Sequence, residues 1–247
     1  MGDASTPSVV ARQAALYEQQ WSERSGRAYS PDLLRYRVFG PRLHGRVLDI
    51  GAGDGLLART FPDRDVWSVD LAAAGLRRVA GRAVVALAEA LPFPAQTFDT
   101  VVLSEVLEHV PDPTATLLES RRVCAPGGTL LLSVPLWPLS RSEWLHHRRR
   151  IGAAPTMDNL RDWDPNHERR YSRAEIVRLV EGAGWEVERV VPLFGEASST
   201  AVYWIEPQIA KRTGRQVTIA QRLPPLDRLF GRRSSGVAVI AQRRRPR

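Results

Sequence analysis

The sequence predicts an α/β protein with a doubly wound, mostly parallel sheet of seven strands. Short apolar runs alternate with helical stretches, which is the pattern of parallel strands connected by helices. Runs such as Thr100–Leu103 contain no charged residue, as strands buried on both faces require. We predict strands at Arg46–Ile50, Asp65–Val69, Ala83–Leu87, Phe98–Leu103 and Thr129–Val134, with two more starting at Trp185 and Gly236.

Length and composition limit the class of protein. A chain of 247 residues with 43% hydrophobic and 25% charged residues suits a single α/β domain, which we expect over 1–247. Cys124 is the single cysteine, which excludes an internal disulfide and a multi-cysteine metal cluster, and we expect no metal site. No apolar run approaches the roughly 18 residues of a membrane span, and the first residues lack a secretory pattern. We therefore expect a cytoplasmic protein.

The net charge of +8 is unevenly distributed along the chain. Residues 1–140 carry 14 Arg against 15 acidic residues, whereas residues 141–247 carry 20 Arg and one Lys against 12 acidic residues. The positive excess therefore lies in the later part of the chain. Because the arginines in this part are scattered along the chain, their distribution does not favour nucleic acid as a partner.

The chain before the first strand reads as helical. Apolar residues recur at helical spacing over 13–38, and Ser30–Asp32 supplies an N-cap, a first-turn proline and an early acid for a second helix. We interpret residues 1–40 as a helical lid in front of a core over 41–135. A further helix is predicted at Pro113–Val123, ahead of the fifth strand.

The chain after the fifth strand has a weaker pattern. Residues 136–170 show no clear period and predict a long loop, which forms an insertion on the ligand side of the sheet. Ser172–Glu175 has the spacing of a capping box and predicts the start of a helix. Residues 171–247 then complete the sheet, with a second insertion over 196–235 that we leave unassigned and a basic tail.

The most informative segment is Val47–Gly55. An apolar strand leads directly into a Gly-x-Gly-x-Gly turn, which a helix from Leu56 follows. Glycines permit a tight turn and let a ligand approach the backbone closely. Asp70 ends the next strand, 21 residues after Asp49, where an acid in a doubly wound fold holds ribose hydroxyls. The alternative is that these residues only form a tight strand-to-helix turn.

Two features separate this segment from a dinucleotide-binding motif. The glycines are spaced Gly-x-Gly-x-Gly rather than Gly-x-Gly-x-x-Gly. Asp49 lies two positions before Gly51, where a carboxylate would repel a pyrophosphate and attract an ammonium group. The ligand implied has a cationic amino acid end and a ribose.

Five short segments follow one another in a set order in the first half of the chain. They are Val47–Gly55, Val69–Asp70, Ala88–Phe93, Phe98–Val110 and Ala125–Gly128, the last being a turn ahead of the fifth strand. In this order they resemble the class I S-adenosylmethionine-dependent methyltransferases, in particular the small-molecule branch related to ubiquinone and menaquinone biosynthesis. The resemblance spans about residues 41–135. It implies a Rossmann-like fold, S-adenosylmethionine as cofactor and S-adenosylhomocysteine as product.

The resemblance also implies roles for ten cofactor-binding residues. The methionine part of the cofactor contacts Asp49, Gly51, Ala52, Gly53, Gly55 and Ser104. The ribose hydroxyls bind Asp70, and the adenine contacts Leu71, Ala88 and Glu89. Many relatives have an aspartate where this chain has Leu87, so Glu89 and a backbone carbonyl are alternative partners for the adenine amino group.

Two groups of residues are candidates for acid-base chemistry. His167 is our first choice for a base or acceptor-orienting group, because Asn166–Tyr171 resembles a recurrent His-x-Arg-x-Tyr-like element of this branch. A loop-anchoring role for His167 is an equal alternative. Glu105, Glu108 and His109 have the spacing of one helical face, which we interpret as structural.

Methyl transfer to a small-molecule acceptor is the function that the resemblance implies. An in-line displacement requires alignment of the acceptor, to which the lid and the insertion over 136–170 would contribute at the carboxyl ends of the strands. His146–His147 beside Arg148–Arg150 predicts a solvated basic surface. The alternatives are an RNA acceptor, peripheral contact with anionic lipid, or a non-catalytic cofactor-binding protein. The oligomeric state is left open.

Overall fold

A computed structural model of the chain describes residues 9–23, 30–156, 168–215, 217–223 and 234–244. Within these ranges seven strands form one sheet in the order β3-β2-β1-β4-β5-β7-β6. The strands are β1 Arg46–Ile50, β2 Asp65–Asp70, β3 Arg82–Val85, β4 Phe98–Ser104, β5 Cys124–Pro135, β6 Trp185–Leu193 and β7 Gly236–Arg243.

Helices cover both faces of the sheet and its carboxyl edge. Those before β5 are α1 Val9–Glu23, α2 Ser30–Phe39, α3 Leu56–Thr60, α4 Ala73–Leu76 and α5 Pro113–Val123. Those after β5 are α6 Arg141–Ile151, α7 Arg173–Gly182, α8 Glu196–Thr200 and α9 Glu206–Thr213, with a π-helical stretch at Ala201–Ile205. Short 3-10 turns lie at Gly40–Arg42 and Ala220–Arg222.

The direction of the strands confirms the predicted fold class. β1 pairs in parallel with β2 on one side and with β4 on the other, and the order of the strands reverses between them. Such a reversal opens a crevice at the carboxyl ends of β1 and β4, where ligands of doubly wound folds bind. β7 alone among the seven runs antiparallel, to β5 and to β6.

Two strand boundaries differ from the prediction by more than one residue. The turn predicted at Ala125–Gly128 lies inside β5, which already pairs with β4 at Cys124 and is irregular before it resumes pairing at Thr129. β3 ends at Val85, earlier than predicted, because Leu87 forms a bridge with Ala90 instead of continuing the strand.

The prediction of an irregular loop over 136–170 was wrong for part of that range, because it contains helix α6. The Ser140 hydroxyl accepts a hydrogen bond from the backbone N–H of Glu143, and the helix ends at Gly152 in the left-handed conformation. Histidines and arginines hide the apolar period of this helix, although Ser140 and Glu143 have capping-box spacing. The stretch left unassigned over 196–235 is also helical in its first half.

Apolar side chains pack against both faces of the sheet. Ile50 and Leu103 belong to the cluster on one face, and Val47 and Val102 to the cluster on the other. On the carboxyl edge, helix α1 is tied to α4 because a carboxylate oxygen of Glu18 accepts a hydrogen bond from the backbone N–H of Ala74 at 2.9 Å. None of the described helices is long and apolar enough to cross a membrane.

Candidate functional site

A cavity of about 490 Å³ lies at the carboxyl ends of β1, β2 and β4. The lid helices α1 and α2 cover one side of it, and α6 and the segment from β6 through the π-helical stretch line another. The volume falls within the range of about 300 to 1,000 Å³ that is usual for small-molecule sites. We call the part beside β1 and β2 the first end, and the part beside α6 the second end.

The glycine turn after β1 forms the floor of the first end. Gly51 and Gly53 have φ angles of +72° and +55°, which favour glycine. A Cβ at Gly51 would lie 2.6 Å from Val106, and one at Gly53 would lie 2.2 Å from the indole of Trp21. A side chain at either glycine would therefore clash with a residue packed against the turn, and at Gly53 that residue belongs to the lid.

Asp70 ties this turn to the end of β2. Its two carboxylate oxygens accept hydrogen bonds from the backbone N–H groups of Gly53 at 2.8 Å and Ala72 at 2.9 Å. Each oxygen keeps a further lone pair, and the residue lines the cavity. Burial raises the pKa of Asp70, while the backbone hydrogen bonds oppose that rise. The same carboxylate thus shapes the turn and faces the ligand space.

Asp49 lies beside Asp70 and is almost fully buried, with 3% of its surface exposed. Burial, followed by repulsion from Asp70, raises the pKa of Asp49 to about 8. Among the residues that the structure describes, no salt bridge joins a cation to Asp49. A ligand cation at this position would supply the missing charge, so the first end fits a molecule with an ammonium group and ribose hydroxyls.

Eight of the ten predicted cofactor residues line the cavity: Asp49, Gly51, Ala52, Asp70, Leu71, Ala88, Glu89 and Ser104. Gly53 and Gly55 do not line it and shape the turn instead. The N–H of Gly55 donates to the carbonyl of Ala52 at 2.9 Å, and a Cβ on Gly55 would lie 2.6 Å from Val79. The individual roles of these residues remain predictions.

The candidate base His167 lies outside the described residues. The chain that follows it returns to the loop after β4. The N–H of Glu168 donates to the carbonyl of Glu108 at 2.9 Å, and the hydroxyl of Tyr171 donates to the carbonyl of Leu107 at 3.0 Å. These bonds place Arg170 against the cavity.

Glu105, Glu108 and His109 do not share a helical face, because this segment is a turn and α5 begins at Pro113. Glu105 and His109 line the cavity. Glu108 is fully buried behind them, with 3.8 Å between its carboxylate and the His109 ring. Burial and the neighbouring Glu105 raise the pKa of Glu108 well above its usual range. The described residues contain no group of three His, Cys, Asp or Glu side chains that could hold a metal ion.

The second end contains four charged residues that the sequence analysis did not place in the site as a group. Arg35 is 3.8 Å from Glu105 and pairs with Asp32. Glu105 also accepts a hydrogen bond from the Ser133 hydroxyl at 2.9 Å and has a φ angle of +56°, which is strained for a residue with a side chain. The remaining two, Glu143 and Arg170, face each other at 3.8 Å.

The prediction of a solvated surface at His146–His147 was wrong for both histidines. His147 is fully buried in α6, and the half-buried ring of His146 packs against Tyr203 at 4.9 Å. The arginines that follow are exposed, as predicted. The Arg149 guanidinium lies over the Trp204 ring at 4.5 Å. The basic residues therefore lie on the outer face of α6, away from the cavity.

Residues 21–190 match the methyltransferase domain family. Because the match covers more than half of the chain, the chain belongs to that family. It is 33% identical over 168 residues to a probable S-adenosylmethionine-dependent methyltransferase of Mycolicibacterium smegmatis, covering 64% of this chain and 59% of that protein. It is 32% identical over 173 residues to the ubiquinone/menaquinone biosynthesis C-methyltransferase of Cupriavidus necator, covering 60% of this chain and 70% of that protein.

A solved structure has the same fold. It is an S-adenosylmethionine-dependent methyltransferase of Thermotoga maritima, described as a possible histamine N-methyltransferase. The TM-score is 0.60 at 18% identity, covering 96% of this chain and 99% of that one. The family and its relatives confirm the predicted enzyme class and its cofactor, S-adenosylmethionine.

Proposed function

We propose that this chain transfers a methyl group from S-adenosylmethionine to a small-molecule acceptor. The observation that carries the proposal is a single cavity with two chemically different ends. The first end offers two acids, Asp49 and Asp70, that form no salt bridge with any described residue, and the second offers buried charges and aromatic side chains. S-adenosylmethionine, when bound, supplies an electrophilic methyl group on a sulfonium.

The residues of the first end would hold the cofactor. The Asp49 carboxylate suits its ammonium group, and the free lone pairs of Asp70 suit the ribose hydroxyls. The backbone of Gly51 and Ala52 allows close approach, and the Trp21 indole covers the turn against water. All of these contributions bind, orient and exclude water, which is what an in-line displacement requires of a protein.

The residues of the second end would hold the acceptor. This end is lined by the lid and by α6 of the insertion, which suits a small molecule, and most of the described arginines of the basic second half lie outside it. A nucleic acid acceptor would require those arginines to face the site. Contact of the outer face of α6 with anionic lipid is a secondary proposal, favoured by the Arg149–Trp204 pair beside the exposed Ile205.

His167 remains our proposed base or acceptor-orienting group, on the sequence resemblance of its segment. Substitution His167→Ala should abolish turnover and leave cofactor affinity intact. Unchanged turnover in this variant would remove the proposal.

We also propose a cytoplasmic location, since the single Cys124 is buried and a reducing compartment suits such a chain.

Calorimetric titration with S-adenosylhomocysteine tests the proposed function directly. We expect one molecule bound per chain and no binding of NAD. Binding of NAD without binding of S-adenosylhomocysteine would contradict the proposal. Transfer of label from methyl-labelled S-adenosylmethionine to a panel of small alcohols, phenols and amines would then identify the acceptor.

A further inference from the structure

The second end of the cavity contains a buried pair of opposite charges that do not satisfy each other. Glu143 lies on α6, and Arg170 lies in the segment that returns from the insertion. Both residues line the cavity, and their side chains are 5% and 6% exposed. The closest distance between the Arg170 guanidinium and the Glu143 carboxylate is 3.8 Å, too long for a hydrogen bond.

One polar atom on each side has no partner. Oε2 of Glu143 and Nη1 of Arg170 are buried and make no hydrogen bond. Leaving a buried donor or acceptor unsatisfied destabilises the structure, and more so when the group is charged. Both residues line the cavity, so a bound molecule can supply the missing bonds once the two side chains turn slightly toward it.

The charges of the pair restrict the group that fits. A carboxylate or phosphate would accept from Arg170 but would be repelled by Glu143. An ammonium would donate to Glu143 but would be repelled by Arg170. A hydroxyl both donates and accepts without a net charge, so it can bond to the two residues at once.

We infer that Glu143 and Arg170 form an anchor for a neutral hydroxyl group of the methyl acceptor, such as that of an alcohol, a phenol or a sugar. This inference rests on the proposed function, because it assigns the second end to the acceptor. Tyr203 and Phe194 also line this end and provide apolar contact for the rest of the molecule. The anchor positions the acceptor, and the hydroxyl it holds need not be the atom that is methylated.

The test uses four probes that share a benzene ring: phenol, benzoate, benzylamine and toluene. Their affinities for the full chain with S-adenosylhomocysteine present are measured by ligand-observed NMR titration. We expect phenol to bind about 10-fold more tightly than each of the other three, as a hydrogen bond to a charged group implies. Benzoate or benzylamine binding as tightly as phenol would overturn the inference, and so would equal binding of phenol and toluene.

Two variants sharpen the result. Glu143→Gln should relieve the exclusion of benzoate, and Arg170→Gln should relieve the exclusion of benzylamine. Glu119→Gln, in an ion pair with Arg122 on α5 and outside the cavity, is the matched control and should leave the probe series unchanged. Identical probe affinities in all of these variants and the wild type would contradict the anchor.

A failure of the hydroxyl anchor can be distinguished from a failure of the proposed function. If S-adenosylhomocysteine does not bind, the proposed function fails, and the series repeated without it still decides whether the anchor selects a hydroxyl. The wild-type series needs no variant, so a poorly folding variant leaves the inference testable.

Discussion

The two ends of the cavity are built in different ways. Most of the first end comes from one strand-turn-helix segment and the end of the adjacent strand β2, and the residues from Asp49 to Leu71 lie within about two dozen positions of one another. Ala88, Glu89 and Ser104 follow later in the chain. The second end combines α2, the loop after β4, α6 and the chain after the insertion, which together span more than a hundred positions of the chain. A local motif thus forms the part that the family shares, and tertiary packing forms the part that would select the acceptor.

The ends also differ in electrostatics. At the first end, Asp49 and Asp70 lack a cationic partner among the described residues, so the ligand must bring positive charge. At the second end, Arg35 and Arg170 lie beside Asp32, Glu105 and Glu143, so the chain itself supplies cations that face these acids. Changes at the first end should therefore alter cofactor affinity far more than changes at the second.

The largest effect is expected for Asp70→Ala. This change removes the ribose ligand and both bonds that hold the Gly53 and Ala72 backbone, so cofactor affinity should fall by about 100-fold or more. Calorimetry with S-adenosylhomocysteine measures it. Asp65→Ala, at the exposed start of the same strand, is the control and should bind normally. Normal cofactor affinity in the Asp70→Ala variant would refute the conclusion that the first end determines cofactor affinity.

The pH dependence of cofactor affinity is expected to follow Asp49. With a pKa of about 8, this carboxyl is mostly protonated below that pH, whereas a ligand ammonium requires the ionised form. Affinity should therefore decrease as the pH falls from 8 to 6, approaching tenfold per pH unit.

Calorimetry in buffers of different ionisation enthalpy also detects the proton released on binding at pH 7. Asp49→Asn should bind more weakly at pH 8 and lose the pH dependence. A wild-type protein whose affinity is flat between pH 6 and 8 would rule out this role of Asp49.

A smaller effect is expected for Gly53→Ala. The left-handed conformation costs an alanine about 1 to 2 kcal/mol, and its Cβ would meet the Trp21 ring. Cofactor affinity should fall about tenfold by the same calorimetric measurement. In the double variant Gly53→Ala with Trp21→Ala, part of the loss due to the clash should be recovered. If the effects of the two substitutions on cofactor affinity are fully additive, the lid does not contact the turn at Gly53.

The smallest effects are expected for the helix caps Ser140→Ala and Ser172→Ala. Each removes a side-chain hydrogen bond at a helix start and should lower the free energy of unfolding by about 1 kcal/mol, measured by urea denaturation. Only Ser140 caps the helix that carries Glu143. Ser140→Ala should therefore also weaken phenol binding, whereas Ser172→Ala should not. Equal effects of the two variants on phenol affinity would contradict the role of α6 in positioning Glu143.

The sequence was most informative where structure is local. Val47–Gly55 and Asp70 could be predicted because a strand, glycine spacing and an acid lie close together along the chain. Helix α6 was missed because eight of its eleven residues are Arg, His, Ser or Glu, and its apolar spacing is too sparse to detect. Glu143 and Arg170 could not be brought together from the sequence, since no periodicity links a helix to the far end of an insertion.

The contact that holds the lid helix α1 in place should affect the rate of product release. Glu18 holds α1 to α4 through the Ala74 N–H and through Arg77 at 2.7 Å, and this ion pair is open to solvent. Such pairs contribute little to equilibrium stability but weaken with ionic strength. Since Trp21 of α1 covers the glycine turn, loosening this contact would uncover one side of the cavity. Salt should therefore speed the release of S-adenosylhomocysteine.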